Sequence, residues 1–197
     1  MGYYEEQIEK QITPVSPKEI AVVSPDYIFK TPVMLTLEHH SIVSPNFIFR
    51  GVDDVIYFTE STTYYGKKGS FSNYKVYLGD RKEKLLLKTS AKGSWRANKL
   101  KLTYHNLATE SEEELDFNME NSYRSAGLFV GREKDNSPMI CKIQRLKETT
   151  HAKSEYAIEM SAGVDNLFLL SIVTIFILNY KEYKQKMRRQ HKKVVYY

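Results

Sequence analysis

The most concentrated charge in this chain lies close to its C-terminus. Residues 181–193 hold seven basic side chains and one acidic side chain, a net charge of 7 − 1 = +6, whereas the whole chain carries +5. The rest of the chain therefore sums to 5 − 6 = −1. The basic residues are Lys181, Lys184, Lys186, Arg188, Arg189, Lys192 and Lys193. Cations placed close to an anionic membrane attract it by about 1 kcal/mol each.

Three interpretations of this basic tail are open. Aromatic and apolar residues, among them Tyr180, Tyr183 and Met187, alternate with the charges, which is typical of a segment that contacts anionic phospholipid or phosphoinositide. A solvated, frayed tail that merely keeps the protein soluble is the second interpretation, and nucleic-acid contact or a localisation signal is the third. Because the rest of the chain is near neutral, a nucleic-acid surface on the domain itself is not indicated.

Other candidate residues point away from catalysis. His39 and His40 are adjacent, so in a strand they face opposite ways and cannot both bind one metal; we expect exposed turn or edge residues. No nucleophile-elbow or phosphate-loop motif is present in the sequence. We therefore predict a protein that is not an enzyme, with no catalytic, metal or cofactor residues. The one tryptophan, Trp95, is predicted to pack in the core or at the rim of the domain.

An apolar run at residues 167–178 is the strongest structural signal. Its apolar members are Leu167, Phe168, Leu169, Leu170, Ile172, Val173, Ile175, Phe176, Ile177 and Leu178. As a helix the run reaches about 18 Å, against about 30 Å for the hydrocarbon core of a bilayer, so we predict a core segment rather than a membrane span. Because it is apolar on every side, it must be enclosed on every side.

Local signals favour a helix for this run. Asp165 is a plausible N-cap, and the hydroxyls of Ser171 and Thr174 can bond back to carbonyls of the preceding turn. A buried β-strand remains the alternative, because Ile172, Val173 and other members are β-branched.

Short β-type segments precede the run. We predict strands at residues 27–29, 33–37, 47–49, 55–58, 75–78, 84–87, 100–104, 115–119, 127–130, 139–146 and 156–160. The strands need a face to bury and the helix needs enclosure, so the prediction is a mainly β (α+β) fold, a closed antiparallel barrel of about twelve strands around a central C-terminal helix. We expect an N-terminal extension at 1–13, one domain at 14–180 and the basic tail at 181–197.

Compartment and assembly follow from composition. The N-terminus is polar and acidic, unlike a secretory signal, and the single cysteine, Cys141, excludes an internal disulfide. We expect an intracellular (cytoplasmic) monomer, peripheral at a membrane under the lipid hypothesis.

Several stretches of this chain carry a resemblance to a known family. They are the hairpin at 47–58, the strand at 84–88 leading to Trp95, the strands at 139–145 and 156–160, and the sequence Gly163-Val164-Asp165 before the apolar run. In these stretches the chain resembles the LURP-one-related family, which shares the tubby C-terminal-like fold with tubby proteins and phospholipid scramblases. The resemblance runs over about residues 14–180. The turn at residues 50–54 departs from the family's usual Asp-x-x-Gly, and the long basic tail is not a general family feature.

The resemblance implies a binding or regulatory protein without an established reaction. Relatives by fold bind phosphoinositides or have been associated with lipid movement, but a shared fold does not carry function across. The first functional hypothesis is therefore peripheral association with anionic lipid through the tail. The alternative is a protein–protein interaction module with a merely solubilising tail, and the third is scramblase-like lipid handling.

Overall fold

A computed structural model describes residues 2–15, 18–40, 47–60, 73–78, 84–148 and 153–194. Over these residues the chain forms ten strands, two helices and two short 3-10 turns. The helices are α1 (Tyr3–Glu9) and α2 (Asn166–Val194), and the 3-10 turns are Pro25–Tyr27 and Glu133–Asp135. The strands are β1 (Val33–His40), β2 (Phe47–Gly51), β3 (Ile56–Glu60), β4 (Lys75–Leu78), β5 (Lys84–Lys92), β6 (Ala97–Asn106), β7 (Ser111–Glu120), β8 (Ser125–Phe129), β9 (Met139–Glu148) and β10 (Lys153–Met160).

The ten strands form one antiparallel sheet in the order β3-β2-β1-β10-β9-β8-β7-β6-β5-β4. Strands that follow one another in the chain are neighbours in the sheet, except β3 and β4, which form its two edges, and β10 returns to pair with β1, with Val33 opposite Met160. The mainly β class with a C-terminal helix is thus confirmed. Between the described residues of β3 and β4 no pairing exists, so the sheet is open there. The closed barrel of about twelve strands is not confirmed and stays a prediction.

One of the eleven predicted strands is wrong. Residues 25–27 form a 3-10 turn instead, and only Ile28 makes an isolated bridge, with Asp165. The reason lies in Pro25, which fits the first turn of a 3-10 helix, and in Ser24, whose Oγ accepts the Asp26 N–H at 3.2 Å. The other ten predicted strands each have a counterpart.

Alternating side chains give the sheet one apolar face, and α2 lies against it. Leu35 and Leu37 of β1 are buried, as are their partners Ile158 and Tyr156 across the β1–β10 pair. Such period-two alternation is what a strand with one covered face requires. The same buried cluster contains side chains from nine of the strands together with α2.

The apolar run is a buried helix packed against the sheet, and its helical conformation is as predicted. Phe168 lies 5.0 Å from the Tyr104 ring of β6. Phe176 lies 6.0 Å from Tyr156 of β10 in an edge-on arrangement. Contacts with strands on opposite parts of the sheet explain why Phe168, Ile172 and Phe176 are all at most 1% exposed. The helix runs further than the apolar segment, on to Val194, because Lys, Gln, Arg and Met are good helix formers and the buried part supplies the nucleus.

The polar groups at the start of α2 are satisfied as predicted. Asp165 Oδ1 accepts the Phe168 N–H at 3.1 Å, which makes it the N-cap. Asp165 Oδ2 accepts three more N–H groups, from Val22 at 3.2 Å, Val23 at 2.7 Å and Ser24 at 3.2 Å. A single buried carboxylate therefore caps the helix and fixes the segment before β1.

The two hydroxyls inside the helix are also paired. Ser171 Oγ donates to the Phe168 carbonyl at 2.7 Å, and Thr174 Oγ1 donates to the Leu170 carbonyl at 3.1 Å. Neither hydroxyl is therefore an unpaired polar group in the core.

Gly163 forms the turn between β10 and α2 at φ +82°. A Cβ there would lie 2.4 Å from the carbonyl oxygen of Val15, which is far inside contact distance. Its N–H donates to Phe29 and its carbonyl accepts from Ile20, at 3.0 and 2.9 Å. Only glycine fits this turn, which brings the N-terminal segment against the helix start.

The first residues pack on the outer face of the sheet. Gln7 of α1 is fully buried; its Nε2 donates to the Asn118 carbonyl at 3.0 Å and its Oε1 accepts from Ser125 at 2.6 Å. Lys142 Nζ donates to the carbonyls of Ile8 and Lys10, each at 3.1 Å. The predicted N-terminal extension therefore covers β7, β8 and β9.

Candidate functional site

Three tyrosines meet where α2 leaves the sheet, one from a turn of the sheet and two from the helix itself. Tyr123 lies in the turn between β7 and β8 at φ +55°, and its N–H donates to the Glu120 carbonyl at 2.8 Å. Its ring is 6.2 Å from Tyr180 and 5.4 Å from Tyr183, both on the helix. We call these three residues the exit collar. Burial raises the pKa of Tyr123 to about 12, so its hydroxyl is protonated near neutral pH.

Glu148, at the end of β9, fixes the helix just beyond the collar. Its carboxylate accepts the Tyr180 hydroxyl and forms an ion pair with Lys184. Burial would raise the pKa of Glu148, but hydrogen bonds from Lys184 and Tyr180 outweigh it and hold the pKa below its usual value. The Arg145 guanidinium lies 4.2 Å from the centre of the Tyr180 ring. The direction in which α2 leaves the sheet is therefore set by side chains.

The predicted cations separate into two groups. Lys181 is half-buried, and burial lowers its pKa, while Lys184 is bound to Glu148. Beyond them the side chains of residues 185–190 are exposed, including Arg188 and Arg189. We call residues 185–194 the basic arm. It adds about 15 Å of helix and carries Lys186, Arg188, Arg189, Lys192 and Lys193, with no acidic residue.

The described part of the arm is amphipathic. Met187 follows Tyr183 by four residues and Tyr180 by seven, so it continues the face of the helix that contacts Tyr123. Arg188 and Arg189 lie on the other sides of the helix at 100° per residue. Met187 is 37% exposed. Over residues 185–190 the arm therefore exposes one apolar side chain, Met187, among its cations.

The expectation for His39 is wrong. It is 3% exposed, because β1 places it on the inner face, where its ring lies 5.0 Å from Phe47. Burial and the nearby Lys181 lower its pKa to about 4, so it is neutral at neutral pH. His40 faces the other way, 3.4 Å from Glu38. Within the described residues, no three His, Cys, Asp or Glu side chains are grouped as a metal would require.

The expectation for Trp95 is also wrong. The side chain is fully exposed, with a relative accessibility of 101%. It lies in the turn between β5 and β6, beyond the paired part of both strands. The next residue, Arg96, turns back toward α1 and forms an ion pair with Glu6 at 3.0 Å. An aromatic residue in a strand-rich chain suggested packing, but its place in a turn decides its exposure.

Cys141 lies on the inner face of β9 and is buried. Burial raises the pKa of its thiol to about 12. The thiol is therefore an apolar packing group rather than a nucleophile.

An antiparallel sheet wrapped on an apolar C-terminal helix defines a mainly β domain whose core is that helix. A family model described as LURP-one-related matches residues 54–177, more than half of the chain. The chain therefore belongs to the LURP-one-related family, and the resemblance is confirmed. The basic arm lies beyond the matched residues.

No curated protein and no solved structure matches the chain. Among the helices of the described residues, none combines the length and the apolar character needed to cross a membrane.

Proposed function

We propose that this LURP-one-related protein is a non-enzymatic module that associates peripherally with anionic phospholipid through its basic arm. The observation that carries the proposal is the exposed stretch of helix with Lys186, Arg188 and Arg189, directly beyond the contacts that join α2 to Tyr123 and Glu148. Each cation close to an anionic surface contributes about 1 kcal/mol.

Helical order distinguishes this proposal from a merely solubilising tail. A frayed tail loses conformational entropy whenever it binds, whereas a helix already fixed at one end loses less. Met187, which is 37% exposed among these cations, adds an apolar group of the kind that a helix in a membrane interface inserts.

Vesicle co-sedimentation tests the proposal. The protein should sediment with phosphatidylserine-containing vesicles, remain in solution with neutral phosphatidylcholine vesicles, and be released as salt rises from 0.1 to 1 M, because the Debye length falls from about 10 to about 3 Å. Vesicles with phosphoinositide at the same total charge show whether one headgroup is preferred. Equal recovery with neutral and anionic vesicles would overturn the proposal.

A matched pair of variants locates the contact. Arg188→Gln with Arg189→Gln removes about 2 kcal/mol of attraction, a loss of up to about 30-fold in partitioning. Lys18→Gln with Lys30→Gln removes the same charge from exposed residues close to Ile20 and Phe29, which bond Gly163 before the start of α2, at the other end of the helix from the arm. The control pair should bind as the parent does. A similar loss in both pairs would show that only net charge matters.

A protein-interaction module is the second candidate, and one observation favours it. The turn between β2 and β3 exposes Val52 (85%), Val55 and Ile56, and Met34 lies one residue beyond the Leu35–Gly51 pair, next to Val52. Apolar groups that cluster on a surface are typical of a protein contact. This cluster is at the opposite end of the sheet from the arm, so Val52→Asp should leave vesicle binding unchanged.

A further inference from the structure

The turn that holds Trp95 lies at the same end of the sheet as the basic arm. Ala97, two residues after Trp95, pairs with Glu120, and Glu120 accepts the N–H of Tyr123 in the next turn. Tyr123 in turn contacts Tyr183 of α2. The two turns are two strand spacings apart, about 10 Å. Trp95 and the arm can therefore face one surface together.

Among the side chains that the structure describes, Trp95 is the most exposed large apolar group. Val52, the next most exposed, is at 85%, and it is a much smaller group. The turn itself is held: Arg96 pairs with Glu6, and its guanidinium lies 5.9 Å from the Tyr3 ring. A fixed turn thus leaves the indole in water.

We propose that Trp95 is a second membrane contact, which inserts its indole into the interface of an anionic bilayer while the basic arm lies against the headgroups. This inference rests on the proposed function and extends it to the adjoining turn. Tryptophan favours the membrane interface, where its apolar ring is buried and its N–H stays hydrated. Stable peripheral attachment takes two signals, and a polybasic segment is one of them.

The charge on this end argues for a bilayer over a protein partner. In the part of the arm whose side chains the structure describes, Lys186, Arg188 and Arg189 bring three cations and no acidic residue to the end of the sheet where Trp95 lies. An anionic bilayer offers negative charge over its whole surface and an apolar layer beneath, so it satisfies the arm and the indole at once.

Trp95 is the sole tryptophan, so its fluorescence reports on this contact directly. With phosphatidylserine-containing vesicles the emission should move to shorter wavelength and acrylamide quenching should fall, and neutral vesicles should change neither. Trp95→Ala should weaken partitioning into anionic vesicles about tenfold, which corresponds to about 1.4 kcal/mol. Because the Trp95 side chain is fully exposed, the urea unfolding midpoint of this variant should match that of the parent protein.

A relocated tryptophan is the matched control. Val52→Trp in a Trp95→Phe background moves the reporter to the exposed turn at the opposite end of the sheet. This protein should still bind anionic vesicles, and its emission should not shift. An equal shift from both reporters would overturn the inference.

The outcomes separate this inference from the proposed function. Sedimentation with anionic vesicles while Trp95 emission stays unchanged would overturn the second contact and leave the arm in place. A failure to sediment would overturn the proposed function first. An equal emission shift with soluble polyglutamate would show that Trp95 responds to an acidic polypeptide, and the bilayer contact would be wrong.

Discussion

The two parts of helix α2 differ in almost everything except backbone conformation. From Asn166 to Tyr180 the helix is enclosed by the sheet, and its side chains are the centre of the core. Beyond Lys184 the same helix is exposed and cationic. The inner part is stabilised by burial, whereas the outer part depends on helix propensity and on its covalent continuity with the inner part. The difference indicates that one part holds the fold and the other is available for contact.

The junction between the two parts is specified by polar and aromatic side chains. Tyr180 and Lys184 meet Glu148, and Tyr183 meets Tyr123. Partly exposed ion pairs contribute only about 0–1 kcal/mol, so these contacts set direction more than stability. The outer part can therefore be altered without loss of the fold.

The largest expected effect is the loss of stability on truncating a side chain in the inner part, compared with the same kind of truncation in the outer part. Phe176→Ala removes a fully buried ring that contacts Tyr123 and Tyr156, and should lower the free energy of unfolding by about 3–5 kcal/mol. Met187→Ala should change it by less than about 0.5 kcal/mol. Urea denaturation measures both. If the two variants lose similar stability, the division of the helix is wrong.

A smaller loss should follow from altering the start of the inner part. Asp165→Asn keeps the size of the side chain but places an amide N–H₂ where N–H groups now donate, so Val22, Val23 and Ser24 or Phe168 lose their acceptor. We expect a loss of about 3 kcal/mol, because hydrogen bonds to a charged group contribute about 1.5–3 kcal/mol. Asp26→Asn, the same change at an exposed position, should have little effect in the same thermal unfolding measurement. Equal stability of the two variants would contradict the role of Asp165.

Sequence was sufficient where burial follows from local pattern. The apolar run, its cap at Asp165 and the internal bonds of Ser171 and Thr174 all follow from residue type and helical spacing. The alternation of apolar and polar residues, with β-branched and aromatic enrichment, likewise indicated all ten strands that the structure describes. Such features depend on neighbours a few residues away.

Sequence failed where the environment comes from distant residues. His39 and His40 look alike in sequence, but β1 turns one toward Phe47 and the helix and the other outward. Trp95 was expected to pack, yet among the described residues its turn lies beyond the paired parts of β5 and β6, and its side chain is exposed. The exit collar was missed as well, because Tyr123 comes from one turn and Tyr180 and Tyr183 from the helix. A polar, basic segment that follows an apolar helix without a break was the available signal for the longer helix.

The smallest predicted effect concerns His39, which lies under the junction and is influenced by Lys181, Lys184 and His40. Its pKa is about 4 in the folded protein and 6.5 in a model peptide. Between these values the unfolded chain binds a proton that the folded chain does not, so stability falls as pH is lowered from about 6.5 toward 4. At pH 5 the loss from this group should be about 2 kcal/mol as an upper bound, since 1.5 pH units correspond to about 2 kcal/mol.

The variant His39→Phe isolates this contribution, because a phenyl ring keeps the contact with Phe47 and cannot be protonated. Urea denaturation gives the unfolding free energy at pH 7.5 and at pH 5. The decrease between these two pH values should be about 2 kcal/mol smaller for the variant than for the parent. Lys181→Gln should raise the pKa of His39 by removing a nearby positive charge, so its pH dependence should be weaker than that of the parent. A His39→Phe protein with the same pH dependence as the parent would show that the junction does not hold this histidine neutral.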